Sequence, residues 1–345
     1  MTVLKIAYII PSLVQTAPMK IVHSCIRQLK HRTEIHLYYL KESSGKKSLE
    51  FDLLSQKCSF FNAIDFDNYD IIHSHGVLPD LYVRYHRKKI QKAQTVTTLH
   101  NIAHEDFVFH YGAFKASLIL RLWRFAIAKF DMVVVLSQYA KEHYHYKWGL
   151  KNLVIVHNGI PVKIPNGSTE DLRLLSLKQN YRVVLAVGTL SKLKGFDQVV
   201  KALPMLPQTA LVLVGEGKER ENLKNLAKNL GVKERVCFLG FIENISSLMV
   251  LCDLVCIPSR SEGFGLVVLE AMRAKKPIVL SDIPVFRELF DMPRFQLENI
   301  EDLAEKIKTV NPNEGEKNYQ IFLEKFTDKV MAQNYEKLYW ELLND

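Results

Sequence analysis

Two glutamates stand eight residues apart in the run E-G-F-G-L-V-V-L-E-A-M, Glu262 to Met272, and glycines follow the first at 263 and 265. The preceding L-V-C-I-P-S-R-S reads as a strand ending in a turn, and G-L-V-V-L-E-A-M as a helix with strong helix formers at its end. Gly263 and Gly265 therefore fall in a strand-to-helix turn. There glycine lets the main chain approach a ligand, and the first helical N–H groups, which lack partners, carry partial positive charge. That combination binds phosphate. Carboxylates are poor neighbours for phosphate but good acceptors for pairs of sugar hydroxyls. Glu262 before the turn and Glu270 beyond it suit a nucleotide diphosphate sugar, which has a hydroxylated ring on each side of its phosphates. Two solvated glutamates on a core helix would give the same letters, so the motif alone leaves both readings open.

A second run, V-G-T-L-S-K-L-K-G from Val187 to Gly195, follows an apolar strand and sets Lys192 and Lys194 before another helix. A lysine there can neutralise a leaving diphosphate, or simply be an exposed surface cation. His100 ends the strand-like T-V-T-T-L-H, at the edge where open α/β sheets bind ligands. His73 and His75 in D-I-I-H-S-H-G share one face by the two-residue period. With no third ligand evident, acceptor-site lining or packing is the better reading than a metal pair. Asp65-Phe66-Asp67 is formally a D-x-D but precedes its strand, and reads as a turn.

The elements that must position these residues come in two sets. Short β-branched runs alternate with amphipathic stretches throughout the 345 residues, the grammar of parallel α/β sheets, and the length suggests two domains. In the first half the strands are L-K-I-A-Y-I-I, E-I-H-L-Y-Y-L, D-I-I-H-S-H, T-V-T-T-L-H, M-V-V-V-L-S and L-V-I-V-H-N-G. In the second they are R-V-V-L-A-V-G, A-L-V-L-V-G, V-C-F-L-G, L-V-C-I-P-S and P-I-V-L-S-D. Asn158 to Ser168, rich in Gly, Pro and Asn, reads as the linker. The expected domains are residues 1–160 and 168–320, with a helical pattern over Tyr319 to Leu343 packing back across both.

Charge separates the halves. Residues 1–165 hold 22 Lys and Arg against 12 Asp and Glu, whereas residues 166–345 hold 24 against 25, and all twelve histidines lie in the first half. The basic half also carries Phe114 to Phe130, which interleaves Trp, Phe, Leu and Ile with Lys115, Arg121, Arg124 and Lys129. A helix of this kind can lie in a membrane interface, although a core helix with a solvated stripe has the same pattern. The cluster Arg84, His86, Arg87, Lys88, Lys89 and Lys92 lies nearby. Each cation at an anionic bilayer contributes about 1 kcal/mol. No nucleic-acid-binding motif accompanies the charge. The N-terminus reads as a first strand, and the apolar stretch Ser117 to Leu136 is too broken by charge to span a bilayer. The five cysteines show no metal or redox spacing and read as buried free thiols, which fits a reducing compartment.

Taken together, G-T-L-S-K-L-K-G, the Glu262–Glu270 run and H-N-G-I at His157 to Ile160 resemble the retaining GT-B glycosyltransferases of family 4 (group 1). The resemblance covers the whole chain in element order and is most specific in the second half. It implies an α/β protein of two doubly wound Rossmann-like domains facing across a cleft, with a C-terminal helix crossing back. It also implies a hexosyltransferase whose second domain binds the nucleotide sugar. By resemblance Glu262 contacts the donor-sugar hydroxyls, Glu270 the ribose and Lys194 the diphosphate. The amides of Gly263, Phe264, Gly265 and Leu266 face sugar and phosphates, Phe241 lies at the base-contacting strand end, and His100 lies near the transferring sugar.

Two positions depart from the family. Thr189 stands where an arginine is usual, leaving Lys192 as a substitute without the bidentate fork. Ala17-Pro18 stands where a Gly-Gly turn is usual, and proline offers no N–H. The expected activity is transfer of a hexose or N-acetylhexosamine from a nucleotide-diphosphate sugar, most readily UDP-linked. The acceptor would be a saccharide or glycolipid of lipopolysaccharide or capsule synthesis, with no metal or cofactor. The expected location is the inner face of the cytoplasmic membrane, held peripherally through the basic domain. A nucleotide-sugar epimerase of the same fold, or a non-enzymatic nucleotide-sugar-binding module, would share most of these features.

Overall fold

The computed structural model describes residues 3–43, 45, 47–102, 107, 112–164 and 172–344. The chain divides into two units, one formed by Met1–Pro161 with Phe326–Asp345 and the other by Val162–Lys325. The last residues of the expected linker, Pro165 to Ser168, lie outside the described residues.

In the first unit the described strands form one parallel sheet in the order β3-β2-β1-β4-β5-β6-β7. These are β1 (Lys5–Ser12), β2 (Glu34–Lys41), β3 (Ser55–Lys57), β4 (Ile71–His75), β5 (Gln94–Thr98), β6 (Met132–Val135) and β7 (Leu153–Ile155). Helices join them as parallel pairing requires. In the second unit β8 (Arg182–Val187), β9 (Thr209–Val214), β10 (Val236–Gly240), β11 (Leu254–Ile257), β12 (Ile278–Ser281) and β13 (Arg294–Phe295) form a parallel sheet in the order β10-β9-β8-β11-β12-β13. The central strands are buried along most of their length, β4 and β9 completely so. Burial on both faces is why they read as continuous apolar runs rather than alternations.

Each order reverses direction once, between β1 and β4 in the first sheet and between β8 and β11 in the second. Open α/β sheets bind ligands beyond the carboxyl ends of strands at such a switch point. The residues singled out in the sequence follow these strands: His75 ends β4, Lys192 and Lys194 follow β8, and Glu262 follows β11.

The helical pattern over Tyr319 to Leu343 is two helices rather than one, Glu314–Lys325 and Asp328–Asn344. The break is built by Thr327, whose Oγ1 accepts from the Val330 N–H at 3.2 Å as a helix cap does. Ile160 runs beside it, donating from its N–H to the Phe326 carbonyl and accepting from the Asp328 N–H, each at 3.0 Å. Only the final helix belongs to the first unit. Its Tyr339 hydroxyl bonds Tyr8 at 2.9 Å and His73 at 2.6 Å, and its Tyr335 hydroxyl bonds Thr98 at 3.0 Å, all buried. Four of the five free cysteines are buried, and burial pushes Cys25 and Cys252 up to about 12, which keeps them as inert thiols.

Candidate functional site

In the second unit the turns after β8 and β11 are locked together by main-chain contact. Gly195 has φ +65°, and a Cβ there would fall 2.0 Å from the Pro258 carbonyl oxygen, so no side chain fits. Buried Gln198 donates to that carbonyl at 2.9 Å. The Arg260 N–H bonds the Leu193 carbonyl at 2.7 Å, and its Nη1 bonds the Lys192 carbonyl at 2.6 Å. Arg260 is itself held by Asp197 at 2.9 Å and Glu298 at 2.5 Å, and the bond to Asp197 above all pushes its guanidinium upward. The arginine nearest these turns in sequence is therefore committed to the scaffold.

The consequence is a direct contact. Lys194 Nζ lies 2.6 Å from Glu262 Oε1, and Ser259 Oγ donates to the same oxygen at 2.7 Å. The glutamate side chain is only 13% exposed and the lysine 29%, so the pair is partly withdrawn from water.

Beyond the glutamate, Gly265 (φ +100°) opens the helix Leu266–Arg273. A Cβ at this position would stand 2.7 Å from a ring carbon of Phe286. Phe264 is buried, its ring edge-on to Phe290 at 6.2 Å, so what it can offer a ligand is main chain. Gly263, Leu266 and Glu270 are partly exposed around the helix start, Lys192 and Thr189 are exposed, and Phe241 is 75% exposed after β10. The helix start thus presents N–H groups beside a lysine–glutamate pair, a setting suited to an anion flanked by hydroxyls.

In the first unit His75 Nδ1 and His100 Nε2 lie 3.1 Å apart. Both rings line a cavity of about 200 Å³ whose walls include Pro11, Pro18, Val77, Phe107 and Trp123. Pro18 sits in the first turn of the helix Ala17–Leu29, where a missing N–H costs no helical bond. His73 lies deeper, bonded to Tyr339 and, at 2.9 Å, to Thr98, which makes it packing rather than lining. Burial pushes His73 down to about 3 and His100 to about 4, and holds His75 well below the usual range, so all three are neutral near pH 7. Among the described residues no three His, Cys, Asp or Glu converge as metal ligands. Asp67 of the D-x-D sequence accepts from the Gln91 N–H, as a turn residue does.

Beneath the cavity lies a group the sequence reading passed over. Asp80 is fully buried and accepts from Ser74 Oγ at 2.5 Å, Thr97 Oγ1 at 2.8 Å and Trp123 Nε1 at 2.6 Å. Burial pushes its carboxyl up to about 7 despite these donors. The available signal was a lone acid inside the apolar G-V-L-P-D-L-Y-V. Ser259 and Arg260 were also missed, although they stand in the quoted P-S-R-S.

The helix Ala113–Ile127 buries Ala116, Leu120, Trp123, Ala126 and Ile127. It nevertheless leaves Phe114, Leu118, Leu122 and Phe125 at least half exposed, a second apolar stripe at helical spacing. Lys115, Arg121, Arg124 and Lys129 are exposed around it, and Arg84 lies over the Phe125 ring at 4.8 Å. His86 must be removed from the expected basic cluster: it is buried and bonded to the Phe60 carbonyl. No helix among the described residues is long and apolar enough to cross a membrane.

Residues 168–324 match the family described as "Glycosyl transferases group 1", and residues 31–163 match "Glycosyltransferase Family 4". The chain is 30% identical to the O-antigen biosynthesis glycosyltransferase WclY of Escherichia coli over 99% of both chains. It is 26% identical to the N-acetyl-alpha-D-glucosaminyl L-malate synthase of Bacillus anthracis over 81% of this chain and 76% of that one. In fold it is similar to Anabaena Alr3699/HepE, solved in complex with UDP, with a TM-score of 0.81 and 20% identity over 98% of this chain and 100% of the other.

Proposed function

Because the chain belongs to the family 4 glycosyltransferases of group 1, with the GT-B fold, we propose that it is a retaining enzyme using a UDP-linked sugar. It moves a hexose or N-acetylhexosamine to a lipid-linked saccharide in the synthesis of O-antigen or a related lipopolysaccharide. The observation that carries this reading is the Lys194–Glu262 contact beside the start of the helix Leu266–Arg273. The names of the relatives support the choice of product, and the UDP complex of a structural neighbour supports the nucleotide.

In this account the diphosphate sits on the N–H groups around Gly265 and Leu266, with Lys194 turning from Glu262 to the phosphates and Lys192 adding charge. Glu262 then accepts from the sugar hydroxyls, Glu270 from the ribose, and exposed Phe241 borders the base. A bond forms between the acceptor oxygen and the anomeric carbon on the face from which the phosphate departs. The anomeric C–O bond to phosphate breaks, and the phosphate oxygen takes the hydroxyl proton. No metal is needed in this scheme, because lysine and main-chain dipoles meet the developing charge. The acceptor side is assigned to the first unit, with His100 at the reacting centre.

The enzyme would work at the membrane surface, with Phe114, Leu118, Leu122 and Phe125 entering the interface and the surrounding cations meeting anionic lipid. Mass-spectrometric product detection with a panel of donors tests the reading. Glu262→Ala and Lys194→Ala should each abolish or strongly reduce product, and full activity in both would remove the site assignment.

A further inference from the structure

The contact between His75 and His100 leaves two nitrogens without partners. His75 Nε2 and His100 Nδ1 are buried and have no hydrogen-bond partner among the described residues, while Nδ1 of the first and Nε2 of the second meet at 3.1 Å. The rings are near parallel, 30° apart, and both stand in the wall of the cavity lined by Pro11, Pro18, Phe107 and Trp123. Buried polar groups in folded proteins are nearly always paired, so two orphans on residues that line one cavity point to a ligand.

Proton counting restricts what they can bind. A neutral imidazole carries one proton on two nitrogens, so the bond between the rings needs a proton on one side only. If His100 Nε2 donates, His75 holds its proton at Nε2 and His100 Nδ1 is a bare lone pair. If His75 Nδ1 donates, the outer assignments reverse. The outer pair is therefore always one donor and one acceptor. The first arrangement puts both protons on Nε2, the tautomer a free neutral histidine side chain prefers.

We propose that His75 is a positioning residue that fixes the tautomer of His100, so that His100 Nδ1 accepts a hydrogen bond from a saccharide hydroxyl held in this cavity. The inference rests on the reading of His100 as lining the reacting centre. The apolar walls fit the C–H face of a sugar ring, and Thr16 offers a further hydroxyl partner. His73 cannot replace His75 in this role, because both its nitrogens are already bonded, to Tyr339 and Thr98.

Nitrogen NMR of the full chain with labelled histidine reads the tautomer directly, with His100 assigned by the signals lost in His100→Ala. The expected result is an unprotonated, pyridine-type Nδ1 on His100 that shifts when N-acetylglucosamine or glucose is added. A protonated Nδ1, or no shift with either sugar, would overturn the proposal. His75→Phe should mix the two His100 tautomers and weaken saccharide binding about 10-fold, the scale of one hydrogen bond. His75→Asn should keep both properties, since its Oδ1 can accept where Nδ1 did. Equal loss in both variants, or in neither, contradicts a tautomer-setting role. Unchanged transferase activity in His100→Ala, with the expected tautomer found in wild type, would instead sink the catalytic reading of His100 and spare the assignment of the pair.

Discussion

Lys194 and Glu262, sixty-eight residues apart in sequence, meet at 2.6 Å, and the glutamate oxygen they share also accepts from Ser259. The two side chains assigned to opposite parts of the donor are thus each other's partners. On the proposed assignment, a diphosphate that draws the lysine away releases Glu262 Oε1 to accept from a sugar.

That competition gives an uncommon expectation for Glu262→Gln. Removing the carboxylate frees Lys194 and takes a negative charge from beside the phosphates. UDP alone should then bind several-fold more tightly, on the scale of about 1 kcal/mol for a partly exposed ion pair. Transfer should fall by about 100-fold or more, as for loss of an electrostatic contact at the reacting centre. Binding by fluorescence and turnover by product release separate the two effects. Weaker UDP binding together with normal turnover would contradict the competition.

Gly265→Ala places a methyl 2.7 Å from the Phe286 ring at a backbone φ of +100°. Strain of this kind costs about 1–3 kcal/mol. The variant should melt several degrees lower and lose donor affinity, because the helix start that carries the amides must shift. Calorimetric melting with and without UDP checks both; an unchanged Tm and an unchanged UDP-induced rise would count against the assigned turn.

Acidification should destabilise the first unit. His73, His75 and His100 stay neutral when folded, held down by burial, but take up protons near pH 6.5 when unfolded. Their stabilisation is present above pH 6.5 and is lost as pH falls toward about 4, where His100 titrates in the fold. Asp80 acts oppositely: with its folded carboxyl near 7, it weakens the fold as pH rises from its unfolded value of 3.8. Three groups outweigh one, so the net slope between pH 6.5 and 4.5 is a loss on acidification, each uncompensated proton contributing about 1.4 kcal/mol per pH unit. Denaturant titrations across this range should show a shallower slope in His73→Phe, and an identical slope would refute its buried neutral state.

For the membrane face, the double variant Leu118→Ser with Phe125→Ser changes residues at least half exposed, so stability should hold within about 0.5 kcal/mol. Cosedimentation with phosphatidylglycerol vesicles should fall, and wild-type binding should weaken as salt is raised. Binding indifferent to lipid charge, salt and both substitutions would reject the surface.

The fold was legible wherever burial on both faces imposes β-branched runs, and so β1, β4, β5, β8, β9, β11 and β12 stand out in the sequence. β3 is exposed and polar, and β13 is two residues long; neither carries a pattern to detect. The split of the last helical pattern was readable in principle from Thr327 before Asp328, a capping pair hidden by the surrounding apolar periodicity. Glu262 and Lys194 could be singled out because glycines mark their turns. Their mutual contact could not be read from sequence, because it is made by Gly195, Gln198 and Arg260 pressing two distant turns together. The His75–His100 bond was likewise invisible, since strand register, not spacing, sets it: His75 lies opposite Thr98, two residues before His100.

Titration calorimetry of UDP-glucose into wild type and Lys194→Ala decides whether this lysine holds the diphosphate. Saturable one-site binding is expected, weakening about 10- to 100-fold in the variant, the scale of one charge-assisted hydrogen bond. Equal affinity in the two proteins, or no binding of any uridine, guanosine or adenosine diphosphate sugar by wild type, would contradict it.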